Sequence, residues 1–178
     1  MTNDRIDNNI DDVAARVGQA LHARTQLLCT AESCTGGGVA QAITGVDGAS
    51  GWYDCAFVTY SNASKSAMLA VPAALIAQFG AVSEEVAAAM AQGALANSGA
   101  DVALSTTGIA GPGGAVPGKP VGTVCFAWSR AGATGAPHTP HTTHTERRVF
   151  GGDRAAVRAQ AVAHALAGLL RLVLEPSG

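Results

Sequence analysis

Residues 26–38 read Gln-Leu-Leu-Cys-Thr-Ala-Glu-Ser-Cys-Thr-Gly-Gly-Gly, and this run decides the fold class. Gln26 to Ala31 has the character of a short buried strand, and the glycines at 36–38 end it. A helix-like stretch follows to Ile43, so the chain turns sharply from strand into helix. Upstream, Ile10, Val13, Ala14, Val17 and Leu21 place one apolar face on a helix over residues 8–24. Downstream, residues 52–60 (WYDCAFVTY) are aromatic and β-branched, which suits a second strand.

The same alternation continues to the end of the chain. Asn62 to Met68 predicts a short helix, and Pro72 suits the first turn of another ending near Gly80. Ser83 caps a longer helix with Glu84 and Glu85 in its first turn, where the helix dipole favours acids. Asp101 to Thr107 is a third strand and runs into the glycine loop GIAGPGGAVPGKP. Residues 121–129 make a fourth strand and Thr142 to Phe150 a fifth, and Gly151-Gly152-Asp153 opens a last helix to about Leu174. Strands interleaved with helices predict an α/β fold, a three-layer α/β/α sandwich on a mixed, mostly parallel sheet of about five strands. With no repeat and no linker, residues 1–178 read as a single domain with its core at about 8–174. Ligands in such folds sit at the carboxyl ends of strands, where both unusual loops, 32–38 and 107–119, fall.

Bulk properties remove several function classes. The chain has 178 residues, a formal net charge of −2 and only 13% charged residues, so it lacks the basic surface of a nucleic-acid binder. Cys29, Cys34, Cys55 and Cys125 lack CxxC spacing, which argues against zinc and against a secreted disulfide framework. The polar opening MTNDRIDNNIDD does not read as a signal peptide, and Ala161 to Leu174 is too short to span a bilayer. A cytoplasmic location, no membrane partner and a homo-oligomer are the expectations, the last from abundant Ala and Gly with few surface charges. Among the 11 cations only Lys65 and Lys119 are lysines, which draws the eye to each.

Four clusters carry candidate chemistry. Ser33 at a strand-to-helix turn is either an exposed nucleophile beside oxyanion-binding amides or, like Thr35, a helix N-cap, with Cys34 as a rival nucleophile. Lys65 either serves as a general base once its pKa is lowered, as an amine replaces histidine in some serine hydrolases, or is a solvated lysine. Tyr60 nearby can relay a proton or simply pack. The small residues after Thr107, including Gly108, Ala110 and Gly111, let backbone approach a ligand and form an anion nest. Gly113 to Lys119 imitates a phosphate-binding P-loop, but Pro120 stands where the hydroxyl residue belongs and a strand follows instead of a helix. Arg147, Arg148 and Arg154 flank a helix start capped by Asp153, as phosphate ligands or as solvated charges. His138, His141 and His144 imitate a metal tract without partner ligands and read as a solvated edge loop.

Six motifs in order, TAESCTGG at 30–37, FVTYSNASK at 57–65, GAVSEEV at 80–86, TGIAGPGG at 107–114, KPVGTVCFA at 119–127 and GGDRAAVRAQA at 151–161, closely resemble the CinA C-terminal domain family of nicotinamide-nucleotide amidases. The resemblance covers about residues 8–174 and is to the stand-alone form, without the molybdopterin-binding-like domain of fused members. It implies hydrolysis of the carboxamide of nicotinamide mononucleotide to nicotinate mononucleotide and ammonia, in pyridine nucleotide salvage, with no metal and no cofactor. It implies Ser33 as nucleophile, Lys65 as base, Tyr60 as an assisting hydroxyl and Thr107 in the glycine loop. A basic residue in the last motif is expected at Arg154, with Arg148 and Arg158 as substitutes. Thr35, Gly36, Gly108, Ala110 and Gly111 complete the expected substrate site. Gly38 and the GGAVPG loop depart from the family pattern and bear on substrate preference. The family's association with competence and DNA damage keeps two alternatives open: a non-catalytic nucleotide-sensing module, and an amidase for another small carboxamide.

Overall fold

In the computed structural model, residues 10–132 and 142–175 are described. The elements run α1 (Ile10–Ala23), β1 (Leu28–Glu32), α2 (Gly38–Thr44), β2 (Tyr53–Val58), α3 (Asn62–Leu69), α4 (Ala73–Phe79), α5 (Glu84–Ala96), β3 (Val102–Gly108), β4 (Thr123–Arg130), β5 (Thr142–Val149) and α6 (Arg154–Leu174). One five-stranded sheet has the order β2-β1-β3-β4-β5. The pairs β1–β2 and β1–β3 are parallel, while β3–β4 and β4–β5 are antiparallel. Only β4 is therefore reversed, and the other four strands point their carboxyl ends the same way.

Strand alternation sorts the core into two layers. Leu28, Val102, Leu104, Val124, Phe126 and Trp128 face α1, α2 and α6. Cys29, Ala31, Ala103, Cys125 and Ala127 face the other way, against α3, α4 and α5. Small residues on that second face let α5, with buried Ala87, Ala91 and Ala94, lie close to the sheet. On the first face the large rings need space in the helix instead. A Cβ at Gly168 of α6 would lie 2.1 Å from the Trp128 ring.

Ser83 and Asp153 cap α5 and α6 as the sequence predicts, accepting from Val86 N and Ala156 N. The expected cap of α2 is corrected. Neither Ser33 nor Thr35 caps it; Gly37, at φ 90°, occupies that position without a side-chain bond. The membrane expectation counted only residues 161–174, whereas α6 is 21 residues and long and apolar enough, by length and composition alone, to cross a membrane. Its apolar face, Val157, Ala161, Ala165, Leu166 and Leu169, is packed into the core. His138 and His141 lie outside the described residues, and His144 is exposed on β5. Among the described residues, no three His, Cys, Asp or Glu side chains gather.

Candidate active site

β1, β2 and β3 end side by side, and each delivers one part of the site. Ser33 follows the last residue of β1, and its amide still donates to Thr106 O of β3 at 2.9 Å, which pins the turn to the sheet. β2 ends at Val58, and Thr59 N donates to Glu32 O at 2.8 Å, so the chain leaving β2 stays beside Ser33. Ser61 then caps α3 through a reciprocal bond with Ser64, which sets the helix one turn below Lys65.

The Lys65 side chain runs inward and is 1% exposed. Its Nζ lies 3.0 Å from Ser33 Oγ and 2.9 Å from Thr59 O. Among the described residues no acid forms an ion pair with it. Burial pulls its pKa below the ordinary 10.5, opposed only by the nearby Cys34. Burial shifts the balance toward the neutral amine, and only that form has a lone pair to accept the serine proton. Cys34 has the opposite fate. Burial pushes its thiol up to about 12, so at neutral pH it is a small packed thiol and not a rival nucleophile.

A cavity of about 210 Å³ opens over the pair. Ser33, Cys34, Lys65, Thr107, Gly108 and Ala110 form its floor and walls, with Tyr60, Asn62 and Arg154 at its edge. Thr107 Oγ1 donates to Ala81 O at 2.8 Å, which keeps its hydroxyl oxygen free to accept. Gly108 admits no side chain, since a Cβ would come within 2.8 Å of Thr123 O and 3.0 Å of Cys34 Sγ. Arg154, in the first turn of α6, bridges Gly111 O at 2.8 Å and Tyr60 Oη at 3.0 Å. Its guanidinium thus links two segments of the rim.

The remaining residues of interest lie elsewhere. Thr35 is buried behind the turn, with Oγ1 donating to Glu32 Oε2 at 2.6 Å. Gly36 (φ +60°) lies beside the Arg158 guanidinium, and Arg158 donates to Thr35 O at 2.9 Å. None of Thr35, Gly36 and Gly111 is a wall of the cavity. Arg148 pairs with Glu146 on β5. Lys119, the other lysine, donates to Phe79 O at 2.6 Å and ties the glycine loop to the end of α4.

The sequence reading missed Ala81 and Val82 on the cavity wall, and two polar residues besides. Asn62 was seen only as a helix start, and nothing in its type marked it as part of the cavity edge. Glu32 was seen only as the residue before Ser33. Its signal was a carboxylate at the end of an apolar strand, before a helix whose start offers no capping side chain.

This geometry has counterparts among known proteins. A family model of the CinA C-terminal domain matches residues 10–173. The chain belongs to the CinA C-terminal domain family. It is 49% identical over 166 residues to a nicotinamide-nucleotide amidohydrolase PncC of Pseudomonas putida, covering 93% of this chain and 98% of that one. The corresponding PncC of Escherichia coli K12 is 48% identical over 169 residues, with 95% and 98% covered. A CinA superfamily structure from Klebsiella pneumoniae superposes with a TM-score of 0.85 at 41% identity, over 93% of this chain and 98% of that one. One from Escherichia coli gives 0.87 at 37%, over 96% and 94%. The sandwich is therefore the CinA fold, and the Ser33 turn lies inside the matched region.

Proposed function

We propose that this chain is a nicotinamide-nucleotide amidase that hydrolyses the carboxamide of nicotinamide mononucleotide by a Ser33/Lys65 mechanism. The activity for which the PncC relatives are named supports the substrate, and they match the chain over nearly its full length. One observation carries the chemistry: a buried lysine amine 3.0 Å from a serine hydroxyl at the floor of a small cavity.

In this reading Ser33 Oγ attacks the carboxamide carbon as its proton passes to Lys65 Nζ. The resulting oxyanion needs backbone donors. Ser33 N and Ile109 N are already bonded to Thr106 O and Thr123 O, so the donors come from the remaining amides of the Ser33–Thr35 turn or the 107–111 loop. Collapse breaks the C–N bond, and Lys65 returns the proton to the departing ammonia. Water then attacks the acyl-serine, gives a proton to Lys65 and releases the carboxylic acid, which ionises in solvent, and Lys65 reprotonates Ser33. Thr59 O holds the amine in place throughout by accepting one of its N–H bonds.

Volume supports how the substrate is divided. A cavity of about 210 Å³ is below the roughly 300–1,000 Å³ of pockets that take whole drug-sized ligands. It suits the pyridine carboxamide, with ribose and phosphate outside against Tyr60 and Arg154, whose guanidinium complements a phosphate. The reaction belongs to the cytoplasm, where such nucleotides are recycled.

The deciding experiment follows ammonia release from nicotinamide mononucleotide, free nicotinamide and the dinucleotide, with Ser33→Ala and Lys65→Met alongside. The mononucleotide is expected to be the preferred substrate, and both folded variants to lose at least about 10³-fold in kcat. Parental rates in those variants would end the dyad assignment. Equally rapid hydrolysis of free nicotinamide would end the phosphate role of Arg154.

A further inference from the structure

Glu32 is fully buried, the last residue of β1, and forms no ion pair among the described residues. A carboxylate in such a place needs donors, and it has four. Oε2 accepts from Thr35 Oγ1 at 2.6 Å, Gly37 N at 3.0 Å and Val39 N at 3.1 Å, and Oε1 accepts from Ala40 N at 2.8 Å. Three of these are amides at the start of α2, groups that a helix cannot satisfy itself and that no side chain of the turn caps. Its own main-chain oxygen accepts from Thr59 N at 2.8 Å.

The hydroxyl pair behind the turn acquires a fixed polarity from this. Thr35 gives its proton to the carboxylate, so in its 2.7 Å contact with Thr106 Oγ1 it must accept and Thr106 must donate. Thr106 also accepts from Ser33 N through its main chain. The chain Thr106→Thr35→Glu32 therefore connects β3, whose next residues Thr107 and Gly108 wall the cavity, to the turn that bears Ser33. Through Thr59 the same residue reaches the segment whose carbonyl holds Lys65. Glu32 stands at the junction of nucleophile, base and wall, without touching the cavity itself.

We propose that Glu32 is a positioning residue for the amidase reaction, its carboxylate setting the Ser33 turn against Lys65 and the Thr107–Gly108 wall through the Thr35–Thr106 hydroxyl pair. This rests on the reading of Ser33 as nucleophile. All four partners donate, so a glutamine, though equal in size, would turn its NH2 toward at least one N–H or O–H. The distinction between filling the space and placing the turn is thus readable in kinetics.

The test is steady-state hydrolysis of nicotinamide mononucleotide by Glu32→Gln, Thr106→Val, Thr106→Ser and Ser33→Ala, each with a thermal melt. Folded Glu32→Gln is expected to lose about 100-fold in kcat with KM within about threefold, because Arg154 and Tyr60 are untouched while the attack geometry is not. Thr106→Val, which keeps the shape and removes the hydroxyl, is expected to lose about tenfold in kcat, and Thr106→Ser to recover it. If Glu32→Gln does not fold, the two Thr106 variants decide. Unchanged kcat in Thr106→Val, or a loss confined to KM, overturns the positioning role. Activity retained in Ser33→Ala overturns instead the reading beneath it.

Discussion

Two openings flank the turn between β1 and α2, and they differ in size and in content. The groove between α1, α2 and α6 has about 650 Å³ and is lined by Gln41, Ala42, Gly45, Ala159 and Val162 among others. The cavity over Ser33 has about 210 Å³. In the larger, the Thr35 hydroxyl is committed to Glu32 and the Arg158 guanidinium donates to Thr35 O. The smaller gathers a buried amine, a hydroxyl and a rim guanidinium. In the proposed mechanism, reactivity follows convergence of strand ends and loss of solvent around one lysine, and not the volume of the opening.

The strongest way to break this contrast is through the pH dependence of the small cavity. Burial disfavours the charged form of Lys65, so the neutral base persists to lower pH than an exposed lysine would allow. Activity should then fall about tenfold per pH unit as pH drops through the folded-state pKa, and reach its plateau below pH 10.5. A kcat/KM profile that is flat from about pH 5 to 9 would remove Lys65 as the titrating base. Next in size is Arg154→Ala, expected to raise KM for the mononucleotide roughly tenfold to a hundredfold while free nicotinamide is affected little, as measured by ammonia release on both. The smallest effect belongs to the large groove. Ala159→Glu places a charge on its exposed wall and should leave kcat/KM within about twofold, because nothing there touches the reacting atoms. A larger loss would mean that the groove takes part in the reaction.

Arg154 and Arg158 make the same contrast at closer range. They are one helical turn apart on α6, and the family resemblance placed the phosphate ligand at Arg154 with Arg158 as a substitute. The structure separates them. Arg154 bridges Tyr60 and Gly111 at the cavity rim, and Arg158 holds the carbonyl of Thr35 from behind. Spacing told which residues share a helix face, but what each meets depends on the loops packed there.

Element types were legible because their causes are local. Apolar periodicity marked α1, the Ser83 and Asp153 caps marked α5 and α6, and the runs read as strands lie within two residues of β1 to β5. The strand order was not legible, since β3 inserts beside β1 from a distance of seventy residues or so along the chain. Residue chemistry and family motifs nominated Ser33 and Lys65. Glu32 escaped because a buried carboxylate is meaningful only through its donors, and these come from the start of α2 and, through Thr35, from β3.

The sequence by itself determined the alternation of strands and helices, the glycine turns and the family, because propensity, capping and motif order are written in neighbouring residues. Only the tertiary structure decided that Lys65 is buried and 3.0 Å from Ser33, and that Glu32 stands behind both. Desolvation and hydrogen-bond geometry arise where three strand ends meet, and no single segment contains that meeting.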